Sequence, residues 1–149
     1  MEDNVAVKTA KKLAAKTNGK KGITRYVLAG CGGRGTSMFG IPLSRDFPRT
    51  ATLVGLFDLN RKRMAASARM IGNCELPQYN DFDRMLAELD FDAVAIATRD
   101  CSHAGYIARA LRAGKIAISE KPLCVNAEQC RQIVAVQKET AGLALVTHN

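Results

Sequence analysis

Gly30-Cys31-Gly32-Gly33-Arg34-Gly35 sets glycines at the first, third and sixth positions of a six-residue run. That spacing suits the pyrophosphate of a dinucleotide. Gly30 permits a tight turn. Gly32 has no Cβ, so backbone N–H groups can approach phosphate oxygens. Gly35 lets a following helix pack close to the preceding strand, and the helix N-terminus points its dipole at the anion. Asp58 stands 23 residues beyond Gly35. A carboxylate at that distance accepts from the adenosine ribose hydroxyls and repels a 2′-phosphate, which favours NAD over NADP. Arg61, Lys62 and Arg63 soften this preference, because one of them could pair with a phosphate. Asp58 also reads as a helix-start residue, since Asp-Leu-Asn is good capping chemistry.

Two more polar stretches carry candidate chemistry. Thr98-Arg99-Asp100-Cys101-Ser102-His103 offers groups that can meet a nicotinamide ribose. Glu120-Lys121-Pro122-Leu123 offers a lysine that can orient a substrate hydroxyl or help to remove its proton. The plainer readings are a surface histidine near a helix start and a surface lysine stopped by a proline.

These residues act together only if one set of elements brings them to one edge. The apolar run Ile23–Ala29 reads as a first strand, with the glycine turn directly after it. The next helix starts at about Arg34. Gly40 and Pro42 predict a break or kink, with a second piece to about Asp46. Thr52–Phe57 is the second strand, apolar enough for burial on both faces, and Asp58 ends it. Asn60 caps a helix with Met64, Ala65, Ala68 and Ile71 on one face, closed by Gly72. A short third strand fits around Leu76–Tyr79. Asp81 or Asn80 caps a helix carrying Phe82, Met85, Leu86 and Leu89.

Ala93–Ala97 is the fourth strand. Ser102 is the expected cap of the next helix, which turns Ile107, Ala110 and Leu111 inward and stops at Gly114. Ile116–Ser119 is the fifth strand. Asn126 and Gln129 make a capping-box-like start for a helix expected to bury Cys130, Ile133 and Val134. Leu143–Thr147 is the sixth strand. Alternating strands and helices predict an α/β parallel sheet in a single domain, and its reading as a dinucleotide-binding domain makes it Rossmann-type and doubly wound, order 3-2-1-4-5-6. The ends of its strands form the ligand edge, and every candidate residue lies there.

The 149 residues suit one domain, and 47% hydrophobic residues suit a globular chain. No apolar run approaches the roughly 20 residues needed to span a bilayer. No secretory signal pattern is present, so a cytoplasmic location is expected. Cys31, Cys74, Cys101, Cys124 and Cys130 contain no C-x-x-C, and only two histidines occur. Reduced thiols are expected, with no metal site. The formal charge of +8 is uneven, with +5 in the first 25 residues and +3 in the rest. Residues 1–22 therefore read as a flexible basic leader, with a possible short helix over 7–16. It carries no interleaved aromatic residue, so nucleic acid is not the expected partner.

The glycine loop, Asp58-Leu59-Asn60, Ala97-Thr98-x-Asp100-x-x-His103, Ala113-Gly114-Lys115 and Glu120-Lys121-Pro122-Leu123, in that order, resemble the N-terminal domain of the Gfo/Idh/MocA oxidoreductases. The resemblance covers residues 23–149. It implies NAD as cofactor, less readily NADP, in redox chemistry on sugars, inositols or related polyols. It also implies that Gly30, Gly32, Gly33, Arg34 and Gly35 hold the pyrophosphate and Asp58 the adenosine ribose. Thr98, Asp100, His103 and Glu120 would lie near the nicotinamide, with Lys121 catalytic and the Lys121–Pro122 bond a candidate for cis. Many members read Thr-Pro-Asn where this chain has Thr98-Arg99-Asp100. Family enzymes are roughly twice as long and bind substrate with a second domain. This chain alone is therefore expected to bind NAD without turning over a sugar-type substrate. An NAD-dependent glycosidase of the same family, or a non-catalytic NAD-binding module, are the alternatives.

Overall fold

A computed structural model of the chain describes residues 22–148. The expected basic leader, with its candidate helix over 7–16, lies outside the described residues apart from Gly22.

Six strands form one sheet: β1 (Thr24–Ala29), β2 (Ala51–Phe57), β3 (Gln78–Tyr79), β4 (Ala93–Ile96), β5 (Ile116–Glu120) and β6 (Ala144–Thr147). Their order is 3-2-1-4-5-6, as expected of a dinucleotide-binding domain, and every pairing is parallel. Successive side chains along a strand point to opposite faces. In β1, Val27 and Ala29 enter one core while Leu28 enters the other. In β4, Val94 and Ile96 face the first core and Ala95 the second. Both sheet faces are therefore covered, which explains strands that read as continuous apolar runs. The strand order reverses between β1 and β4, and such a switch point leaves a crevice at the strand ends.

The helix after β1, α1, is assembled from α-helical Gly33–Gly35, π-helical Thr36–Gly40 and α-helical Ile41–Arg45. The expected break at Gly40–Pro42 does not occur. The wider turn pairs the Ile41 N–H with the Thr36 carbonyl, and this local π register carries the helix past Pro42, which has no N–H to donate. Helix α2 (Arg61–Ile71) starts with Asn60 Oδ1 accepting from the Arg63 N–H and ends at left-handed Gly72, as expected. Helix α3 (Phe82–Glu88) is capped by Asp81, which accepts from the N–H groups of Asp83 and Arg84.

Helix α4 (His103–Arg112) departs from expectation at its start. Ser102 makes no capping bond, because a 3₁₀ turn over Asp100–Ser102 leads into the helix. The Ser102 hydroxyl instead donates to the Arg99 carbonyl and pairs with the Thr98 hydroxyl at 2.8 Å. Ile107 and Leu111 are fully buried, each side chain stabilising the fold by about 2 kcal/mol. In α5 (Ala127–Thr140), Asn126 accepts from the Gln129 N–H, as the capping box requires. Its inner face consists of Ile133 and Val136, however, and Cys130 and Val134 are exposed. The helix packs on α4 and one flank of the sheet, so only a narrow stripe is covered.

Ala141 closes α5 in the left-handed region, at φ 48°. A Cβ is strained there, and glycine is the usual occupant. Ala141→Gly is expected to raise stability by about 1 kcal/mol, read as a higher midpoint in thermal unfolding. A lowered midpoint would contradict this account of the cap.

Candidate functional site

The Gly30–Gly35 turn follows β1 directly. Gly30 sits at φ +99°, and a Cβ there would lie 2.4 Å from the Ala97 carbonyl oxygen, on the neighbouring strand end. A Cβ on Gly35 would lie 2.0 Å from the Gly30 carbonyl oxygen, so the helix approaches the strand as closely as expected. Gly32 and Gly33 differ: a Cβ on either meets nothing within 4 Å. The first pair of glycines is required by protein backbone, and the second pair faces open space.

Asp58 stands at the end of β2 and is 6% exposed. Its Oδ2 accepts from the Cys31 N–H at 2.9 Å and its Oδ1 from the Asn60 N–H at 2.8 Å. Arg63 Nη1 lies 3.5 Å from Oδ2. One carboxylate thus ties the glycine turn to β2 and starts α2, so its helix-start role is real and local. Cys31, inside the turn, is buried against Asp58. Burial first, then the carboxylate, pushes its thiol pKa up to about 12. Such a thiol is a packing residue.

A cleft of about 770 Å³ opens at this edge. Gly30, Gly32, Asp58 and Thr98 line it, together with Arg63, Ser102 and Tyr106. Tyr106 was not legible as a site residue. It sits one turn into α4 and stacks edge-to-face with Phe57, centroids 5.4 Å apart. Its only sequence signal was its spacing, three residues after His103. Leu59, 69% exposed, adds an apolar surface at the cleft mouth.

The other predicted residues stand around this cleft without lining it. Glu120 ends β5 and is 5% exposed. Its Oε1 pairs with Arg34 Nη2 at 3.2 Å and accepts from the Thr147 hydroxyl at 3.2 Å, while Oε2 accepts from the Lys121 N–H. Glu120 therefore joins α1, β5 and β6. Lys121 is exposed, and the bond to Pro122 is cis. Asp100 is exposed at the start of the 3₁₀ turn. His103 is 1% exposed, with Nδ1 2.7 Å from the Pro122 carbonyl and Nε2 3.2 Å from the Thr98 carbonyl.

The residues fit a bound dinucleotide. Backbone N–H groups at the start of α1 border space that no protein atom fills, a carboxylate faces the same cleft, and apolar surface flanks both. The fold and site are those of a dinucleotide-binding Rossmann domain. The chain belongs to the Gfo/Idh/MocA family, described as an oxidoreductase family with an NAD-binding Rossmann fold, which matches residues 24–148. It is 34% identical over 96 residues to an inositol 2-dehydrogenase of Klebsiella pneumoniae (strain 342), covering 64% of this chain and 28% of that protein. It is 35% identical over 98 residues to a D-apiose dehydrogenase of Paraburkholderia graminis, covering 66% and 25%. The fold matches scyllo-inositol dehydrogenase of Lactobacillus casei, solved with NAD(H) and scyllo-inositol, at TM-score 0.74, 24% identity and 84% and 36% coverage. The chain thus spans about a third of the length of such relatives. No helix among the described residues is long and apolar enough to cross a membrane.

Proposed function

We propose that this chain is the cofactor-holding part of an oxidoreductase that moves a hydride between nicotinamide and a carbinol carbon of a sugar, inositol or related polyol. One observation carries the reading: the turn at Gly30–Gly35, the Asp58 carboxylate and Thr98 border a single cleft, with open space above Gly32. Relatives named for inositol and apiose support the substrate class. When bound, NAD supplies the hydride acceptor.

The chain's own residues do the positioning. N–H groups of Gly32, Gly33 and Arg34 face the pyrophosphate, and the α1 N-terminus favours its charge. Gly30 and Gly35 hold the turn in shape. Asp58 has lone pairs left for a ribose hydroxyl after serving two N–H groups, and its charge favours NAD over NADP. Thr98, with Asp100 and His103 on the same loop, stands at the nicotinamide side. Glu120 fixes the start of the next loop, and Lys121 Nζ would take the hydroxyl proton of a polyol, with bound NAD supplying the acceptor for the hydride. Lys121 is exposed and lies outside the residues that line the cleft, so this chain alone is expected to bind cofactor without turning over a polyol.

Calorimetric titration with NAD tests the reading. Wild type is expected to bind, with Gly32→Val and Asp58→Ala at least about tenfold weaker. Equal affinity in all three proteins would overturn the cofactor site, and NADH produced from a polyol by this chain alone would overturn the absence of turnover.

A further inference from the structure

We infer that His103 is a positioning residue that locks the loop carrying Lys121 against the loop carrying Thr98, so that the nicotinamide end of the cleft keeps its shape. The inference rests on the dinucleotide reading above.

Lys121 lies between two fixings. On its N-terminal side, its own N–H donates to Glu120 Oε2, and Glu120 is held by Arg34 and Thr147. On its C-terminal side, the Pro122 carbonyl meets His103 Nδ1 at 2.7 Å. The other ring nitrogen, Nε2, faces the Thr98 carbonyl at 3.2 Å. Thr98 lines the cleft, while His103 does not. The ring therefore acts on the site only through the two backbone segments it touches.

Both partners are carbonyl oxygens, which can only accept, so the ring must be the donor. The shorter contact requires a proton on Nδ1, whatever the state of Nε2. The ring is 1% exposed while Pro122 is only half-buried, so losing the ring would leave the Pro122 carbonyl to water and remove the bond that ties it to α4. The loop of Thr98 has other restraints. The Ser102 hydroxyl bonds to Thr98 and to the Arg99 carbonyl, and Gln129 Nε2 donates to the Cys101 carbonyl. The next side-chain restraint on the lysine loop is three residues further on, where the Val125 N–H donates to Gln129 Oε1, so His103 is the one that acts at Pro122. Losing the ring should release that loop more than it disturbs Thr98. The adenosine and pyrophosphate end, built on Gly30–Gly35 and Asp58, should remain intact.

The experiment compares NAD with ADP-ribose, which lacks only the nicotinamide. For His103→Leu, NAD affinity is expected to fall about tenfold while ADP-ribose affinity stays within about twofold. His103→Asn, which restores an N–H donor near the position of Nδ1, is expected to recover most of the NAD affinity. Equal losses for both ligands in His103→Leu would make the ring merely structural and overturn the inference, as would no loss for either. If the wild-type chain binds neither ligand, the dinucleotide reading itself has failed. A second measurement needs no variant. Nitrogen-15 NMR of the histidine ring in the wild-type chain is expected to show Nδ1 protonated, and an Nε2–H tautomer would overturn the inference.

Discussion

Gly30→Ala is expected to cost the chain about 3 kcal/mol or more, and Gly32→Ala almost nothing, although both glycines belong to one motif. At Gly30 two penalties combine. The backbone sits at φ +99°, where a Cβ is strained, and that Cβ would lie 2.4 Å from the Ala97 oxygen, 2.5 Å from the Ala97 carbon and 2.7 Å from the Thr98 nitrogen. All three are backbone atoms on the neighbouring strand end, so relief requires β1 and β4 to part. In a chain of this size the thermal midpoint should drop by about 10 °C. At Gly32 the backbone is already extended, φ −70° and ψ 174°, and a Cβ meets nothing within 4 Å. Alanine is therefore free to sit there, and its methyl group projects into the open space that the proposed function gives to phosphate. Gly32→Ala is expected to keep the wild-type midpoint and lose more than about tenfold in NAD affinity. Thermal unfolding and calorimetry on the same preparations check both halves. A destabilised Gly32→Ala would mean that the open space is filled in solution by the chain itself. An unaffected Gly30→Ala would mean that the turn has another conformation.

That contrast also marks how much of the site the sequence could convey. Local chemistry was legible. Asn60, Asp81 and Asn126 cap helices because their side chains reach backbone N–H groups two or three residues ahead, and Gly72 and Gly114 end helices because a left-handed residue must follow them. The alternation of strand and helix indicated parallel pairing, and the glycine turn with Asp58 at the second strand's end indicated the dinucleotide-binding strand order. What escaped was set by tertiary neighbours. The buried stripe of α5 depends on which part of it α4 covers, so Val136 lies inside and Cys130 and Val134 do not. The π turn in α1 depends on how the helix accommodates Pro42. Ser102 has two competing partners, and it bonds to Thr98 and Arg99 because a 3₁₀ turn folds them beneath it. In the site, spacing put Gly30, Asp58, Thr98 and Glu120 at strand ends, where the structure has them. It did not show that Glu120 binds Arg34, 86 positions away, or that both ring nitrogens of His103 face backbone carbonyls. Nor did it mark Tyr106, whose ring is placed by packing on Phe57 and Phe82.

Asp58→Ala is expected to weaken the fold and the cofactor site together, because one carboxylate serves both. The buried Cys31 N–H loses its acceptor, and the Asn60 N–H loses the group that starts α2. An unsatisfied buried donor alone costs about 1–3 kcal/mol, so a loss of about 2–3 kcal/mol is expected, read by urea or thermal unfolding. Asp58→Asn should be nearly as costly. Its single amide oxygen can accept from one of the two N–H groups, while its NH₂ then faces the other donor. An ionised carboxylate, with two oxygens and about four lone-pair sites, serves both N–H groups, takes Arg63 at 3.5 Å, and still has capacity for a ribose hydroxyl. The electrostatic consequence separates binding from folding. Without the carboxylate, Arg63 is left at the cleft as a cation with no counter-charge from residue 58. NAD affinity is then expected to fall by more than about tenfold while NADP loses less, so the ratio of NADP to NAD affinity rises. Global destabilisation would lower both affinities equally and leave that ratio unchanged. A shifted ratio therefore assigns Asp58 to the ribose, whereas an unshifted ratio with lost stability confines it to holding the glycine turn.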